Sequence, residues 1–384
     1  MCIELASLQG SLFGHAHPQI VASVERAIKG SSCLGFSGES EIEWAELLLK
    51  RVPGAEKVRA LSTGTEATSA AIRLARGITG RNVIVKFAGH YHGHVDSLLV
   101  DGGSGLATLS VGTAVPDSKG LPQALTQLSR VLEFNDLAAA EKLFAAEGSS
   151  IAGVIVEPVM GNMGVVPPQK GYLEGLRALC TKHGALLIFD EVMTGLRVHR
   201  ESAQGRFGIC PDLSCFGKIV GGGLPLAAVV GPAKYMDHLA PLGPVYQAGT
   251  LSGNPVSIAA GIAMLKLIDE QKPHEKLESL GEYVEATAME IAQAAKVDLR
   301  IERVGAMFSF YFRKGAVHNA VDCRSTHEKR FNTFFWSMMD HGYMLPPSPF
   351  EACFLAVPHD EVLRGSKFKT DLKSVFADVA KVPV

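Results

Sequence analysis

The run 214-SCFGKIVGGGLPLAAVVG-231 carries a single lysine, Lys218, between two apolar stretches and beside three consecutive glycines. Lysine is strongly hydrated and is rarely buried without a partner. The flanks LSCFGK and LAAVVG read as two strands. Upstream, ALLIFDEV (185–192) reads as a strand ending at Asp190, and IAGVIVEP (151–158) as one ending at Glu157. A helical pattern, YLEGLRALCTKHG, separates the last two. Strands that alternate with helices imply a mainly parallel α/β sheet, and ligands of such sheets sit beyond the carboxyl ends of the strands. Glu157, Asp190 and Lys218 therefore converge on one crevice.

Working outward, 62-STGTEATSAAIRLARG-77 reads as a helix with Ala67, Ala70, Ala71 and Leu74 on its inner side, and NVIVKF (82–87) as a strand. QIVASVERAIKG after Pro18 and ESEIEWAELLLKRV before Pro53 read as two helices. The glycine-rich segment 102–120 is weakly periodic and reads as a long mobile loop, of a length that often carries function. After about residue 275 the texture changes. VGAMFSFYF (304–312) alternates like an antiparallel strand, FNTFFWSMMDHG reads as a helix, CFLAV as a short strand, and residues from His359 onward as a closing helical segment. The organisation expected is an N-terminal segment (1–30), a large α/β domain (31–274) and a small C-terminal α+β domain (275–384).

Composition excludes several classes. The 384 residues have a formal net charge of -2, which offers no basic excess for nucleic acid or an anionic membrane surface. No apolar run reaches membrane-spanning length, and the N-terminus lacks the pattern of a signal peptide. The seven cysteines form no C-x-x-C pair, which fits reduced thiols in a cytoplasmic protein.

Read alone, each chemical signal has a plain alternative. Asp190 suits a helix cap or a salt bridge as well as a buried carboxylate that holds a cation. Lys218 suits a surface loop as well as an apolar pocket that lowers its pKa until it attacks a carbonyl to form an imine. Ser62-Thr63-Gly64-Thr65 is an ordinary N-cap or an anion cradle at a helix N-terminus. Thr250, in GTLSGNP, is a second hydroxyl at a turn. Pyridoxal phosphate needs all of these parts at once: an imine-forming lysine, an acid for the ring nitrogen and a phosphate site. The alternate histidines of 90-HYHGHVDS-97 could share a strand face, but Gly93 breaks the strand and no cysteine or paired acid joins them, so no metal is expected. Tyr91 or His92 is read instead as a ring against a flat cofactor. The glycines 221–223 fail the dinucleotide and P-loop patterns and are read as a turn beside Lys218.

Taken in order, STGTEA, YHGH, VEPVMGNMGVVPP, FDEVMTG, GKIVGGGLP and YQAGTLSGNP resemble the class III, fold-type I pyridoxal-phosphate aminotransferases from about Gly14 to the C-terminus. The resemblance implies that Lys218 forms the imine with the cofactor and Asp190 partners its pyridine nitrogen. It places Val192 and Tyr91 at the two ring faces with His92 beside them, and Asn162 near the ring hydroxyl. Ser62, Gly64 and Thr65 would hold the phosphate, with Thr250 reaching across a homodimer whose active sites are shared. Glu351 would line the substrate pocket, and 102–120 would gate it. The nearest members act on a small amino-aldehyde, glutamate 1-semialdehyde. They exchange its amine through a diamine to give 5-aminolevulinate for porphyrin synthesis, with the cofactor also in its pyridoxamine form. A conventional aminotransferase acting on an oxo acid and a non-catalytic cofactor-binding relative remain as alternatives. Members usually carry a longer segment before GHAHP, and Leu8 stands where they have tryptophan, so the N-terminus is read as shortened.

Overall fold

The computed structural model describes residues 3–6, 12–100 and 118–383. Its strands are β1 (Ile3–Glu4), β2 (Lys57–Leu61), β3 (Val83–Phe87), β4 (Ser129–Leu132), β5 (Ile151–Val156), β6 (Leu186–Glu191), β7 (Leu213–Phe216), β8 (Ala227–Gly231), β9 (Arg300–Val304), β10 (Met307–Tyr311), β11 (Tyr343–Met344) and β12 (Cys353–Phe354). Seven of them form one sheet in the order β2-β8-β7-β6-β5-β3-β4. Pairing is parallel from β4 through β7, and β8 runs antiparallel to both β7 and β2. The sheet is thus mainly parallel, as the alternation of strands and helices predicted.

Every residue of β5 and β6 is buried, which explains their near-continuous apolar sequence. The helix α1 (Pro18–Ile28) has Pro18 in its first turn, and α2 (Glu39–Leu49) stops three residues short of the predicted RV end. The helix α3 (Gly64–Thr79) lays Ala67, Ala70, Ala71 and Leu74 on the sheet, all buried. Small side chains on that face let the helix axis approach closely and bring its N-terminus level with the strand ends.

The C-terminal part adds a three-stranded antiparallel sheet, β12-β10-β9. Here the predicted strand 304–312 is corrected. Val304 closes β9, a turn at Gly305 (φ 60°) reverses the chain, and β10 begins at Met307. The CFLAV strand shortens to two residues. The closing segment divides into helices His359–Leu363 and Ser366–Val379 around Gly365. Four further strands were not foreseen: β1 and β11, two residues each and paired in parallel, and β2 (KVRAL) and β4 (SRVL), which lie at the edges of the large sheet. Edge strands carry charged residues where central ones are apolar, so neither β2 nor β4 shows the buried-strand pattern. Residues 102–117 of the expected gate loop, and Leu8, lie outside the described residues.

Ile155, the penultimate residue of β5, has no exposure. Ile155→Ala should lower unfolding stability by about 2–5 kcal/mol, read as a shift of the guanidinium midpoint. A loss below about 1 kcal/mol would contradict the packing described.

Candidate active site

Five strands of the large sheet end on the same edge, and the residues that follow them line one cavity of about 320 Å³. After β2 come Ser62 to Thr65, after β3 Tyr91 to Gly93, and after β5 Glu157 and Asn162. Asp190 and Val192 lie at the end of β6, and Lys218 follows β7.

The phosphate-like end is built by a capping box. Thr63 Oγ1 accepts from Glu66 N, and Glu66 Oε2 accepts from Ser62 N (2.8 Å) and Thr63 N (2.9 Å). Ser62 therefore lines the cavity with its own N–H already used. The first N–H groups of a helix have no acceptor within the helix, and those of Gly64 and Thr65 remain for an anion at the positive end of α3.

Asp190 is buried at the cavity floor. Its Oδ2 accepts from His92 Nδ1 at 2.7 Å and its Oδ1 from Val192 N at 3.1 Å. Burial pushes its pKa up to about 6, against the opposing pull of the Val192 N–H and of Lys218. Burial holds the His92 imidazole well below its ordinary pKa, so the ring is neutral and its Nδ1–H is the donor to Asp190. Glu157 accepts at Oε1 from Tyr91 N (2.7 Å) and Asn162 Nδ2 (2.9 Å), and at Oε2 from Gly161 N (2.8 Å). Burial and then the Asp190 charge push it up to about 7 despite those bonds.

Lys218 opens a short 3₁₀ turn, Lys218–Gly221, with φ 50°. A non-glycine residue in this left-handed region costs about 1–3 kcal/mol and is found preferentially at functional sites. Burial lowers its pKa most strongly. The Asp190 and Glu157 carboxylates oppose this, and the Arg197 guanidinium assists it. The glycine run serves packing as well as the turn, because a Cβ on Gly222 would come within 2.6 Å of the Ala260 carbonyl oxygen.

Of the residues predicted from sequence, Ser62, Gly64, Thr65, Tyr91, His92, Asn162, Asp190, Val192 and Lys218 all line this cavity. His92 holds Asp190 through a ring nitrogen, while the exposed Tyr91 is free to serve as a ring face. Thr250 lies elsewhere, in a second cavity lined also by Cys33, Phe36 and Arg59. Glu351 lies on a turn whose Phe350 carbonyl accepts from Gly164 N (2.6 Å), two residues from Asn162, and is not among the lining residues. Sequence reasoning placed Glu157 at the crevice without a role. It overlooked Glu66, although Thr63-x-x-Glu66 is a legible capping signal, and Thr68, whose Oγ1 donates to the His92 carbonyl at 2.7 Å.

The family model for class III aminotransferases matches residues 4–358. The chain belongs to the class III aminotransferases. Among relatives of this aminotransferase, one from Anaeromyxobacter sp. (strain Fw109-5), named glutamate-1-semialdehyde 2,1-aminomutase, is 50% identical over 373 residues, 97% of this chain and 85% of its own. One of the same name from Bordetella avium (strain 197N) is 48% identical over 357 residues, 93% and 83% of the two chains. Among solved structures, an omega-transaminase from Sphaerobacter thermophilus superposes with a TM-score of 0.89 at 29% identity, covering 98% of this chain and 87% of that one. A glutamate-1-semialdehyde aminomutase from Pseudomonas aeruginosa PAO1 gives 0.83 at 26% identity, covering 98% and 84%. The fold is that of the pyridoxal-phosphate-dependent class III transaminases.

The raised Asp190 pKa has a stability consequence. Between about pH 4 and 6 the folded aminotransferase keeps a proton that the unfolded chain has lost, so without a cation beside it this carboxylate lowers stability as pH rises through that window. Asp190→Asn removes the effect. Cofactor-free variant should therefore gain on cofactor-free wild type by on the order of 2–3 kcal/mol between about pH 4 and pH 7.5, read from paired melting curves. Parallel curves across that range would contradict the burial of an ionisable Asp190.

Proposed function

We propose that this chain is a pyridoxal-phosphate-dependent aminomutase that converts glutamate 1-semialdehyde to 5-aminolevulinate, a tetrapyrrole precursor. The observation that carries the reading is the joining of the Asp190–Lys218 cavity to relatives at 46–50% identity that bear the aminomutase name.

The residues present suit the cofactor. A helix N-terminus with unspent N–H groups suits a phosphate, a buried carboxylate suits a protonated pyridine nitrogen, and a depressed amine suits an aldehyde. A K286A variant of the aminomutase from P. aeruginosa has also been solved in complex with PMP. When bound, pyridoxal phosphate supplies an electron sink that stabilises negative charge on the substrate carbon.

The chain's own residues do the rest. Gly64 and Thr65 would bind the phosphate. Asp190, aimed by His92 Nδ1–H and Val192 N, would keep the pyridine nitrogen protonated. Val192 and Tyr91 would confine the ring. Asn162, tied to Glu157, would hold the ring hydroxyl. Lys218 Nζ, its pKa lowered by burial, would be the amine that holds the cofactor and that moves the proton at the substrate carbon.

A homodimer with shared sites belongs to the same reading. Phe36 (81% exposed) lines the cavity that holds Thr250, and Tyr246 (70%) and Leu251 (56%) are next in sequence to its lining residues Gln247 and Thr250; a second copy would cover these exposed apolar side chains. Thr250 would then meet the partner's phosphate. A cytoplasmic setting fits the six described cysteines, all unpaired.

A conventional aminotransferase is the second reading, favoured by the omega-transaminase superposition. The two separate on one assay. Purified protein loaded with the pyridoxamine form should turn over glutamate 1-semialdehyde to 5-aminolevulinate with no second amino or oxo acid. A strict requirement for an added oxo acid would assign the aminotransferase and overturn the mutase.

A further inference from the structure

His94, the third of the alternate histidines, takes no part in the ring site, yet it is built against the phosphate end. Its backbone N–H donates to Thr65 Oγ1 at 3.4 Å, and its ring Nδ1 lies 3.2 Å from the same oxygen. The approach is close by construction. A Cβ on Gly93 would fall 2.4 Å from Thr65 Oγ1 and 2.7 Å from Thr65 Cα, and Gly93 has φ 81°. Only glycine admits that conformation and that contact. The turn is pinned on its other side by Thr68 Oγ1, which donates to the His92 carbonyl. His94 is therefore held at Thr65 by structure on both sides of it.

A hydroxyl has one proton and two lone pairs. If Nδ1 is bare, the Thr65 proton is spent on it, and Oγ1 turns only lone pairs toward an anion. If the ring is the Nδ1–H tautomer, both His94 contacts are donated to Oγ1, and the Thr65 proton is free to point at the anion.

We propose that His94 is a positioning residue that holds the Thr65 hydroxyl as a donor to the phosphate of the cofactor. This rests on the reading of the α3 N-terminus as the phosphate cradle. His94 acts through Thr65, so its effect is specific to the phosphate and vanishes when the hydroxyl is removed.

The test is equilibrium binding of pyridoxal phosphate and of pyridoxal, which lacks the phosphate, to cofactor-free wild type, H94A, H94N, T65V and the H94A/T65V double variant. H94A should bind pyridoxal phosphate about tenfold more weakly and pyridoxal as well as wild type does. H94N, whose amide can donate to Oγ1, should recover most of the loss. H94A should add nothing in the T65V background. An equal loss for both ligands, an additive loss on T65V, or no loss in H94A overturns the proposal. Wild type that binds pyridoxal as tightly as its phosphate would overturn the cradle reading as well, whereas a wild-type preference retained in H94A overturns this inference alone.

Discussion

The side chain of Asp190 lies at the end of β6 with 4% exposure, and its surroundings are arranged around the charge it is to carry. An unpaired buried carboxylate is costly. Two fixed donors, His92 Nδ1–H and Val192 N–H, aim it without supplying a full positive charge. Burial keeps His92 neutral, so the ring orients the carboxylate and leaves its charge uncancelled. A cation is still wanted. Lys218 offers a weak one, being itself depressed by burial. A protonated ring nitrogen, as the proposed function assigns to Asp190, would supply that cation.

The sheet explains how these groups meet. Parallel strands bring successive chain turns to one edge, and β2, though paired antiparallel with β8, ends on that same edge. The turn Tyr91–His94 ties the parts together. Tyr91 N reaches Glu157, the His92 ring reaches Asp190, the His92 carbonyl takes Thr68, and Gly93 and His94 lie on Thr65. Displacement of this one turn would disturb both Asp190 and the N-terminus of α3.

Much of this was legible in the sequence. β5 and β6 announce themselves as apolar runs because both their faces are buried, and α3 by its alanine face. Lys218 and Asp190 stood out as charges embedded in apolar runs. What escaped was set by context. β2 and β4 are edge strands whose Lys57, Arg59 and Arg130 mask the periodicity. The break between β9 and β10 depends on one left-handed glycine, Gly305, inside an alternating pattern. His92 looked like a stacking ring, because nothing local shows that a residue 98 positions away accepts its Nδ1 proton. Thr250 was read from its motif as a phosphate contact, but it lines a different cavity from Lys218.

The central claim is that Lys218 is the amine to which the cofactor is joined. The most direct measurement is borohydride reduction of the protein loaded with pyridoxal phosphate, followed by peptide mass mapping. The account predicts a phosphopyridoxyl group on the peptide containing Lys218, and none on that peptide's counterpart in Lys218→Ala. A phosphopyridoxyl group found on another lysine of the wild-type protein, with Lys218 unmodified, would contradict it.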